Sequence, residues 1–164
     1  MNTPWLSSEQ LAAWVRFIGV VELLPGVLDS QLRRDAQLTH FDYYVLAQLS
    51  EVEDHTLRMT ALAERTAATL ARLSHVVQRL EARGLVDRFP CPQDRRATNA
   101  RLTEAGWAKV QESAPGHVDT VREYVVDVLT PEQLAQLGSI SDALLRKLDP
   151  GNGRAEIYRR YDPV

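Results

Sequence analysis

Apolar residues recur every three or four positions from about Ser7 to Ala36, the spacing that places side chains on one face of a helix. Pro25-Gly26 falls inside this first helix, and we expect it to kink or split the helix. Thr39 and Asp42 have the spacing of a capping box. They predict the start of a second helix, which buries Phe41, Tyr44, Val45 and Leu49.

Two shorter helices follow, joined by a very short turn. Thr60 is the expected N-cap of a helix over 61–66, and Thr69 is the expected N-cap of a helix that stops at Gly84. Only Thr66-Ala67-Ala68 separates the two helices. So short a connection between helices predicts a helix-turn-helix.

After Gly84 the pattern changes from helix to strand. Segments 85–89 and 97–102 have strand character, and the stretch 90–94 between them is rich in turn residues. These features predict a β-hairpin with cations at and beside its tip. A helix-turn-helix followed directly by a basic hairpin is a winged helix, in which one helix and the hairpin both contact DNA.

The C-terminal part returns to helical spacing. Thr103 caps a helix that Pro115-Gly116 interrupts, and Thr130-Pro131-Glu132-Gln133 is a strong start signal for a last helix. The segment from Pro150 onward is expected to be a loosely ordered tail with Arg154, Arg159 and Arg160. The predicted fold class is mainly α with a small β-hairpin wing.

The distribution of charge changes the interpretation of the composition. The net charge of the 164-residue chain is −3, which by itself argues against a nucleic-acid partner. From 72 to 101, however, seven arginines stand against three acidic residues, a local net charge of +4 that leaves −7 for the rest. The segment contains no lysine, and the planar fork of arginine suits phosphate and guanine. A solvated helix face is the competing explanation for such a run.

Several functional classes lack support in the sequence. Cys91 is the only cysteine, and the four histidines show no paired spacing, so we expect no disulfide and no metal site. There is no phosphate-binding glycine loop and no nucleophile elbow, so we do not expect an enzyme. No apolar run approaches the roughly 18 residues of a membrane span, and no secretory signal is visible. We therefore expect a cytoplasmic protein without a membrane partner or a cofactor.

The hypothesis of DNA binding assigns particular side chains to particular contacts. In the 69–83 helix, Arg72 and His75 can contact base edges, Ser74 bases or phosphate, and Arg79 the backbone. The caps Thr60 and Thr69 place helix N-termini near phosphates. Arg95 or Arg96 at the hairpin tip can enter the minor groove, with Asp94 beside them. The predicted DNA-contacting set is Thr60, Thr69, Leu70, Ala71, Arg72, Ser74, His75, Arg79, Asp94, Arg95 and Arg96.

Several residues in and near this set keep alternative assignments at the level of sequence. Leu70 either packs on a thymine methyl group or is an apolar residue left on the surface. Arg83 and Arg88 flank the ends of elements and are either phosphate contacts or solvated charges. Cys91 has cationic neighbours that can lower its pKa, but an inert, exposed or half-packed cysteine is favoured over a redox-active one.

The run MTALAERTAATLARLSHVVQRLEARGLVDR and the wing PQDRRATNARLTEAG resemble the MarR family of transcriptional regulators. The family's wing signature is matched by Asp94, Arg96, Leu102, Thr103 and Gly106, and the resemblance covers roughly 10–148. It implies that Arg96 enters the minor groove with Asp94 as its buttress. In two respects the chain departs from the family pattern: Ala67-Ala68 occupies the turn, and Leu70 stands where a polar residue is usual.

The resemblance also implies an organisation and a partner. Residues 1–37 and 104–149 would form a helical dimerisation layer, 38–103 a winged-helix DNA-binding lobe, and 150–164 an extension. The expected function is a repressor that binds a pseudo-palindromic operator on double-stranded DNA as a homodimer. The alternative is a helical protein–protein adaptor that has lost DNA binding, which Leu70 and the net acidity favour.

A small-molecule effector is a further implication of the resemblance. Its pocket would lie between the dimerisation layer and the DNA-binding lobe. An aromatic set with some polar tips suits a phenolic or planar anionic ligand. The candidate lining residues are Trp14, Phe17, His40, Tyr43 and Tyr44, although aromatics at helical spacing are more often core.

Overall fold

The computed structural model describes residues 4–151 and 153–162. Its elements in chain order are α1 (Ser8–Ala36), α2 (His40–Ser50), β1 (Thr56–Arg58), α3 (Met59–Arg65), α4 (Leu70–Ala82), β2 (Val86–Cys91), β3 (Asp94–Leu102), α5 (Glu104–Val121), α6 (Pro131–Leu148) and α7 (Ala155–Arg159). One turn of π-helix, Arg122–Val126, continues α5. This architecture confirms the predicted fold class, a mainly helical chain with a small hairpin wing.

The three strands form one antiparallel sheet in the order β1-β3-β2. Strand β1, which the sequence analysis did not predict, pairs Leu57 with Ala100 of β3. The predicted turn over 90–94 is too long, because β2 continues through Pro90 and Cys91. Pro90 pairs with Thr98 in β2, an edge strand, where a missing N–H leaves no gap in the sheet ladder.

A single core joins α2, α3, α4 and the sheet to the C-terminal end of α1. Leucines at its centre, among them Leu46, Leu62 and Leu80, have no exposed surface. Leu32 and Ala36 of α1 and Val110 of α5 belong to the same cluster. The winged-helix lobe is therefore closed by the ends of the helices that lead into and out of it.

The capping signals are confirmed at four of the five predicted helix starts. Hydroxyls of Thr39, Thr69, Thr103 and Thr130 each accept a hydrogen bond from the backbone N–H three residues on. The assignment of Thr60 as a cap is wrong: α3 begins at Met59, and its N-cap, Arg58, makes no side-chain cap hydrogen bond. Strand β1 runs directly into α3, so the extended residue Arg58 takes the cap position.

The prolines do not split the helices: of the kink or split expected at Pro25-Gly26 the split is wrong, and so is the interruption expected at Pro115-Gly116. Helix α1 runs unbroken through Pro25, and α5 runs unbroken through Pro115. The fixed φ of proline is itself compatible with a helix, so the cost is a lost hydrogen bond and a local clash. A long helix with apolar positions on both sides of the proline can bear that cost.

Two helices carry apolar side chains that the chain itself does not cover. In α1 they include Leu11, Trp14, Val15, Phe17, Val20, Val21 and Leu23; in α6 they are Leu134, Leu137, Ile140, Leu144 and Leu148. No residue of α6 is buried. Exposed apolar surface on this scale marks an interface with another molecule.

By length and composition alone, α1 is also the one helix among the described residues that could cross a membrane. The expectation that no segment approaches a membrane span is therefore wrong by this measure. Arg16 and Glu22 interrupt its apolar positions, and its C-terminal end packs into the core of the lobe through Leu32 and Ala36. These features suit a helix of a dimerisation layer.

The C-terminal extension is ordered where the structure describes it, contrary to the sequence expectation. After α7, the guanidinium of Arg160 donates to the carbonyl of Glu51 at 2.5 Å. The hydroxyl of Tyr161 donates to the carboxylate of the same residue at 2.8 Å. Polar contacts with the end of α2, which no sequence periodicity reveals, thus hold the tail against the lobe.

Candidate nucleic-acid interface

Helix α4 presents one apolar and one polar face. Leu73, Val76, Val77 and Leu80 are buried in the core of the lobe. The opposite face exposes Ala71, Arg72, His75, Gln78 and Arg79. The cap Thr69 accepts from the amide of Arg72 at 3.2 Å, which fixes the first turn of the helix. The arrangement leaves a rigid helix with a solvent-facing polar surface, as a DNA-recognition helix requires.

The wing carries its cations at the tip, as predicted. Arg95 and Arg96 are exposed at the start of β3. Asp94 accepts a hydrogen bond from the backbone N–H of Arg96 at 3.0 Å through Oδ1. Asp94 thus fixes the backbone that carries Arg96, rather than the guanidinium itself.

Recognition helix and wing meet in one groove. A cavity of about 230 Å³ lies between α3, α4 and the wing, and its lining residues are Met59, Thr60, Leu70, Ser74, Arg88, Arg96, Ala97 and Thr98. Four of these belong to the predicted DNA-contacting set: Thr60, Leu70, Ser74 and Arg96. Residues far apart in sequence are therefore brought to one exposed surface.

Two arginines of the basic segment are held by carboxylates of the same chain. Arg79 pairs with Asp42, whose side chain is almost fully buried at the start of α2. Arg88 donates two hydrogen bonds to Glu81, at 2.9 and 2.6 Å. The hydrogen bonds from Arg88 hold the pKa of Glu81 below its ordinary value. Because Arg88 is paired, it is not the solvated charge that was one of its two expected roles; its role as a phosphate contact stays a prediction.

Arg72 of α4 and Arg83, the residue that follows α4, face the corner between α1 and α2. The guanidinium of Arg83 donates to the carbonyl of Gln37 at 2.9 Å. The guanidinium of Arg72 lies over the ring of Phe41, 4.1 Å from its centroid, a cation–π contact. This contact restricts the long side chain of Arg72 before any ligand arrives. Together with the pair of Arg79 and Asp42, it ties one edge of the recognition helix to α2.

Two glycines explain the ends of the wing motif. Gly84 ends α4 with a φ of +71°, a left-handed conformation that favours glycine. Gly106, in the first turn of α5, lies so close to the base of the wing that a Cβ there would stand 2.1 Å from the carbonyl oxygen of Leu85. Thr103, between them, donates its hydroxyl to the carbonyl of Gly84 at 2.7 Å. The motif residues therefore fix the wing on the helical scaffold.

The five predicted effector-binding residues fall into two groups. Trp14 and Phe17 lie side by side on the exposed part of α1, with ring centroids 6.4 Å apart. His40, by contrast, is attached to α1 fifteen residues after Trp14, through a hydrogen bond from its amide to Asp29. Fifteen residues correspond to about 22 Å of helix. Within one chain, the two groups therefore do not line one pocket.

The second group lies on α2, where His40 and Tyr43 form a half-buried aromatic cluster with His117 of α5. The hydroxyl of Tyr44 instead donates to the carbonyl of Arg65 at 3.3 Å, at the end of α3. The ring of His117 lies 6.1 Å from that of His40 and 4.7 Å from that of Tyr43. Burial lowers the pKa of both histidines, and burial raises the pKa of Tyr43 and Tyr44. Nδ1 of His117 is buried without a hydrogen-bond partner among the described residues. His117 is a member of the cluster that the sequence analysis did not select.

Cys91 is buried, at 2% exposure, rather than exposed or half-packed as expected. Burial raises the pKa of its thiol, but hydrogen bonds from the backbone of Gln93 and Asp94 and the nearby Arg58 outweigh that effect, and the pKa lies below its ordinary value. Its Sγ contacts Oε1 of Gln93 at 3.2 Å. The residue helps to close the turn of the wing.

Two other residues contribute to this surface without belonging to the predicted DNA-contacting set. Gln78 is exposed on the polar face of α4, as its place in the helical period predicts. Phe41 was assigned to the core by its spacing, but it also supports Arg72. No local signal links these two residues, since they are on different helices.

A polar recognition helix beside an arginine-tipped hairpin defines a winged-helix DNA-binding protein. A sequence model described as the MarR family matches residues 36–97. Sco3205 of Streptomyces coelicolor, a MarR family transcriptional regulator solved in complex with DNA, is 44% identical; the match covers 88% of this chain and 94% of Sco3205, with a TM-score of 0.85.

Two further likenesses bear on function. The HTH-type transcriptional repressor NicR of Pseudomonas putida is 33% identical over 115 residues, which cover 70% of this chain and 69% of NicR. BpsR of Bordetella bronchiseptica, whose DNA binding is regulated by 6-hydroxynicotinic acid, is 25% identical, with 89% of this chain and 97% of BpsR covered and a TM-score of 0.69.

The chain therefore belongs to the MarR family. It is a DNA-binding transcriptional regulator that acts as a homodimer, which agrees with the uncovered apolar faces of α1 and α6. These findings favour the regulator over the adaptor that the sequence analysis kept as its alternative.

Proposed function

We propose that the protein is a cytoplasmic repressor whose homodimer binds a pseudo-palindromic operator, with one α4 in each of two successive major grooves. The observation that carries this proposal is the meeting of α4 and the wing in one exposed groove lined by Thr60, Leu70, Ser74 and Arg96. A helix of this kind fits the major groove, and a guanidinium at a hairpin tip suits the narrower minor groove.

The contacts divide between reading bases and holding the backbone. We assign base reading to the exposed first turns of α4, through Arg72 and His75, and to Ser74 bases or phosphate. Arg95 and Arg96 serve the wing contact, with Asp94 fixing the backbone of Arg96. Thr60 and Thr69 lie at the starts of the two helices, where hydroxyls and backbone amides suit phosphate oxygens. Ala71 lies on the same exposed face.

The charge distribution supports an orientation in which the segment 72–101 faces the DNA. The segment 72–101 carries a net charge of +4, and the rest of the chain carries −7. Arg79 and Arg88 are already paired with carboxylates, so the attraction for DNA depends most on Arg72, Arg95 and Arg96. The proposed domains agree with this division of charge. Residues 38–103 form the lobe that binds DNA, 1–37 with 104–149 form the dimerisation layer, and 150–164 form an extension.

We further propose that a small aromatic or anionic effector regulates binding. The likeness to BpsR supports this proposal, and the half-buried cluster of His40, Tyr43 and His117 offers aromatic faces and polar tips for such a ligand. Tyr44, on the same helix, would reach this site only by giving up its hydrogen bond to the carbonyl of Arg65. Trp14 and Phe17 would join this site only from the second copy of the homodimer. An effector that binds best to a dimer whose recognition helices are not about 34 Å apart would shift the population away from DNA.

A gel-retardation titration tests DNA binding. The dimer is expected to retard a duplex from its own promoter region at nanomolar concentration and to prefer it over random duplex. Affinity should fall steeply with salt, because phosphate contacts release counterions. Equal affinity for the promoter and random duplexes would contradict a sequence-specific repressor.

Two arginine variants separate the proposed roles. Arg96→Ala should weaken binding to all sequences and reduce the salt slope by about one, whereas Arg72→Ala should relax base preference at one position. Arg122→Ala, in the π-helical turn after α5, is the matched control and should change neither property. An unchanged affinity in Arg96→Ala would show that the wing assignment is wrong.

A further inference from the structure

The DNA-facing groove contains one large apolar side chain that does not belong to the core of the lobe. Leu70 is the first residue of α4, and 49% of its surface is exposed. The other leucines of α4, Leu73 and Leu80, are fully buried. The chain itself covers only about half of this leucine, and the uncovered half faces a groove lined by arginines and hydroxyls, where a contact from outside the chain can bury it.

The position of Leu70 restricts what that partner can be. Side chains of a helix lean toward its N-terminus, so Leu70 points past the start of α4. It shares the groove with Ser74, one turn along the same helix, and with Arg96 of the wing. In the proposed complex, therefore, this side chain faces the floor of the major groove.

The major groove displays one apolar group, the C5-methyl of thymine. The other base edges present donors and acceptors, which a leucine cannot satisfy and would desolvate without compensation. Building on the proposed function, we propose that Leu70 is a specificity-determining residue that contacts a thymine methyl in each half-site. The chemical class it recognises is the 5-methylpyrimidine, in preference to the same base without its methyl group.

The size of the effect follows from the area that one methyl group buries. Removing one buried methyl is expected to weaken binding about fourfold per half-site. A homodimer on a symmetric operator makes the contact twice, so the loss for the whole operator should be about 15-fold. An ordinary binding titration can measure both the fourfold and the 15-fold loss of affinity.

The experiment uses the full chain and an operator selected from random duplexes by the parent protein. Each thymine is replaced in turn, in both half-sites, by deoxyuridine, which removes only the methyl group. Binding is measured for the parent, for Leu70→Ala and Leu70→Met, and for the neighbouring control Ser74→Ala. Thermal unfolding of each variant shows that it is folded.

We expect one thymine position at which deoxyuridine in both half-sites weakens operator binding by the parent about 15-fold. The same replacement should have little effect on operator binding by Leu70→Ala. Leu70→Met, which keeps an apolar side chain, and Ser74→Ala should both retain most of the discrimination. The inference is overturned if the parent selects an operator yet no thymine is methyl-sensitive, or if Leu70→Ala loses as much as the parent. Failure to select any duplex would instead overturn the proposed function and this inference with it.

Discussion

The winged-helix lobe and α6 show how differently two regions of one chain can be stabilised. In the lobe, apolar side chains of α2, α3, α4 and the sheet cover one another, and leucines such as Leu46 and Leu80 have no exposed surface. In α6 the helical pattern is as regular, but no residue is buried. Local sequence therefore forms the helices of both regions. Only the helices of the lobe complete a core within the chain. The apolar face of α6 is left uncovered within the chain, which supports the proposal that a second copy covers it.

The largest effect is expected from charges placed on that uncovered face. Leu137→Glu with Leu144→Glu puts two carboxylates on the apolar stripe of α6, and in a symmetric dimer four carboxylates enter the interface. The protein should become monomeric at micromolar concentration, as measured by sedimentation velocity, and its operator affinity should fall at least about 100-fold.

The control for this variant shifts the same charges off the stripe. Gln136→Glu with Ala143→Glu keeps the seven-residue spacing, but on a neighbouring face of the helix, and should remain dimeric. If both variants remain dimeric, α6 is not part of the dimer interface.

The second-largest effect is expected at the ion pair that joins α2 to α4. Asp42→Asn removes the charge that Arg79 contacts and weakens the cap at Thr39, whose amide donates to Asp42 at 2.9 Å. Because hydrogen bonds to charged groups are strong, the free energy of unfolding in urea should fall by about 1.5–3 kcal/mol.

Asp87→Asn is the matched control on the same lobe. Asp87 pairs with Arg101 at 3.4 Å on the exposed surface, where such pairs contribute less than about 1 kcal/mol. Equal losses in the two variants would mean that the buried position of Asp42 has no energetic importance.

A smaller effect is expected from one glycine at the base of the wing. Gly106→Ala places a methyl group 2.1 Å from the carbonyl oxygen of Leu85, so the wing must shift, at a cost of about 1–3 kcal/mol. The same change at Gly138 of α6 meets nothing within 4 Å in the chain and should gain up to about 1 kcal/mol of helix propensity. Urea unfolding of both variants measures the contrast. If Gly138→Ala instead lowers the free energy of unfolding of the dimer, the added methyl group must meet the partner, and the partner's backbone lies close to Gly138.

The smallest effect is expected from pH. Burial lowers the pKa of His40 and His117 from the ordinary value of 6.5. As pH falls through about 6.5, the unfolded chain binds protons before the folded chain does, so stability should decrease with falling pH and level off below the folded pKa values. Urea unfolding at pH 7.5 and 5.5 measures this dependence. His40→Asn with His117→Asn should flatten it, whereas the exposed His75→Asn should follow the parent; an increase in stability at pH 5.5 would contradict the sign.

Much of the lobe follows from local chemistry. Thr39, Thr69 and Thr103 predict helix starts because a hydroxyl can satisfy an amide at the end of a helix wherever that helix packs. Gly84 predicts the end of α4 because few other residues adopt a positive φ without strain. These signals act over one turn of chain, so they can be recognised without tertiary contacts.

The predictions that were wrong for Thr60 and for the C-terminal tail concern contacts between residues far apart in the chain. Thr60 loses its role as a cap because β1, a strand of three residues, pairs with distant β3 and sets where α3 begins. The tail is ordered because Arg160 and Tyr161 meet Glu51, more than a hundred residues earlier in the chain. Each depends on a contact that no local pattern encodes.

The sequence by itself determined the order of the longer helices and the hairpin, the family and the concentration of arginines on one segment, because periodicity, caps and motifs are local properties. Only the tertiary structure decided which of those arginines are already paired, which residues line the groove with Arg96, and that Trp14 lies apart from His40. Those outcomes depend on distances between elements, which are set by packing of the core rather than by any one segment. The apolar faces of α1 and α6 needed both kinds of information. Their helical pattern is visible in the sequence, whereas their exposure is visible only in the fold.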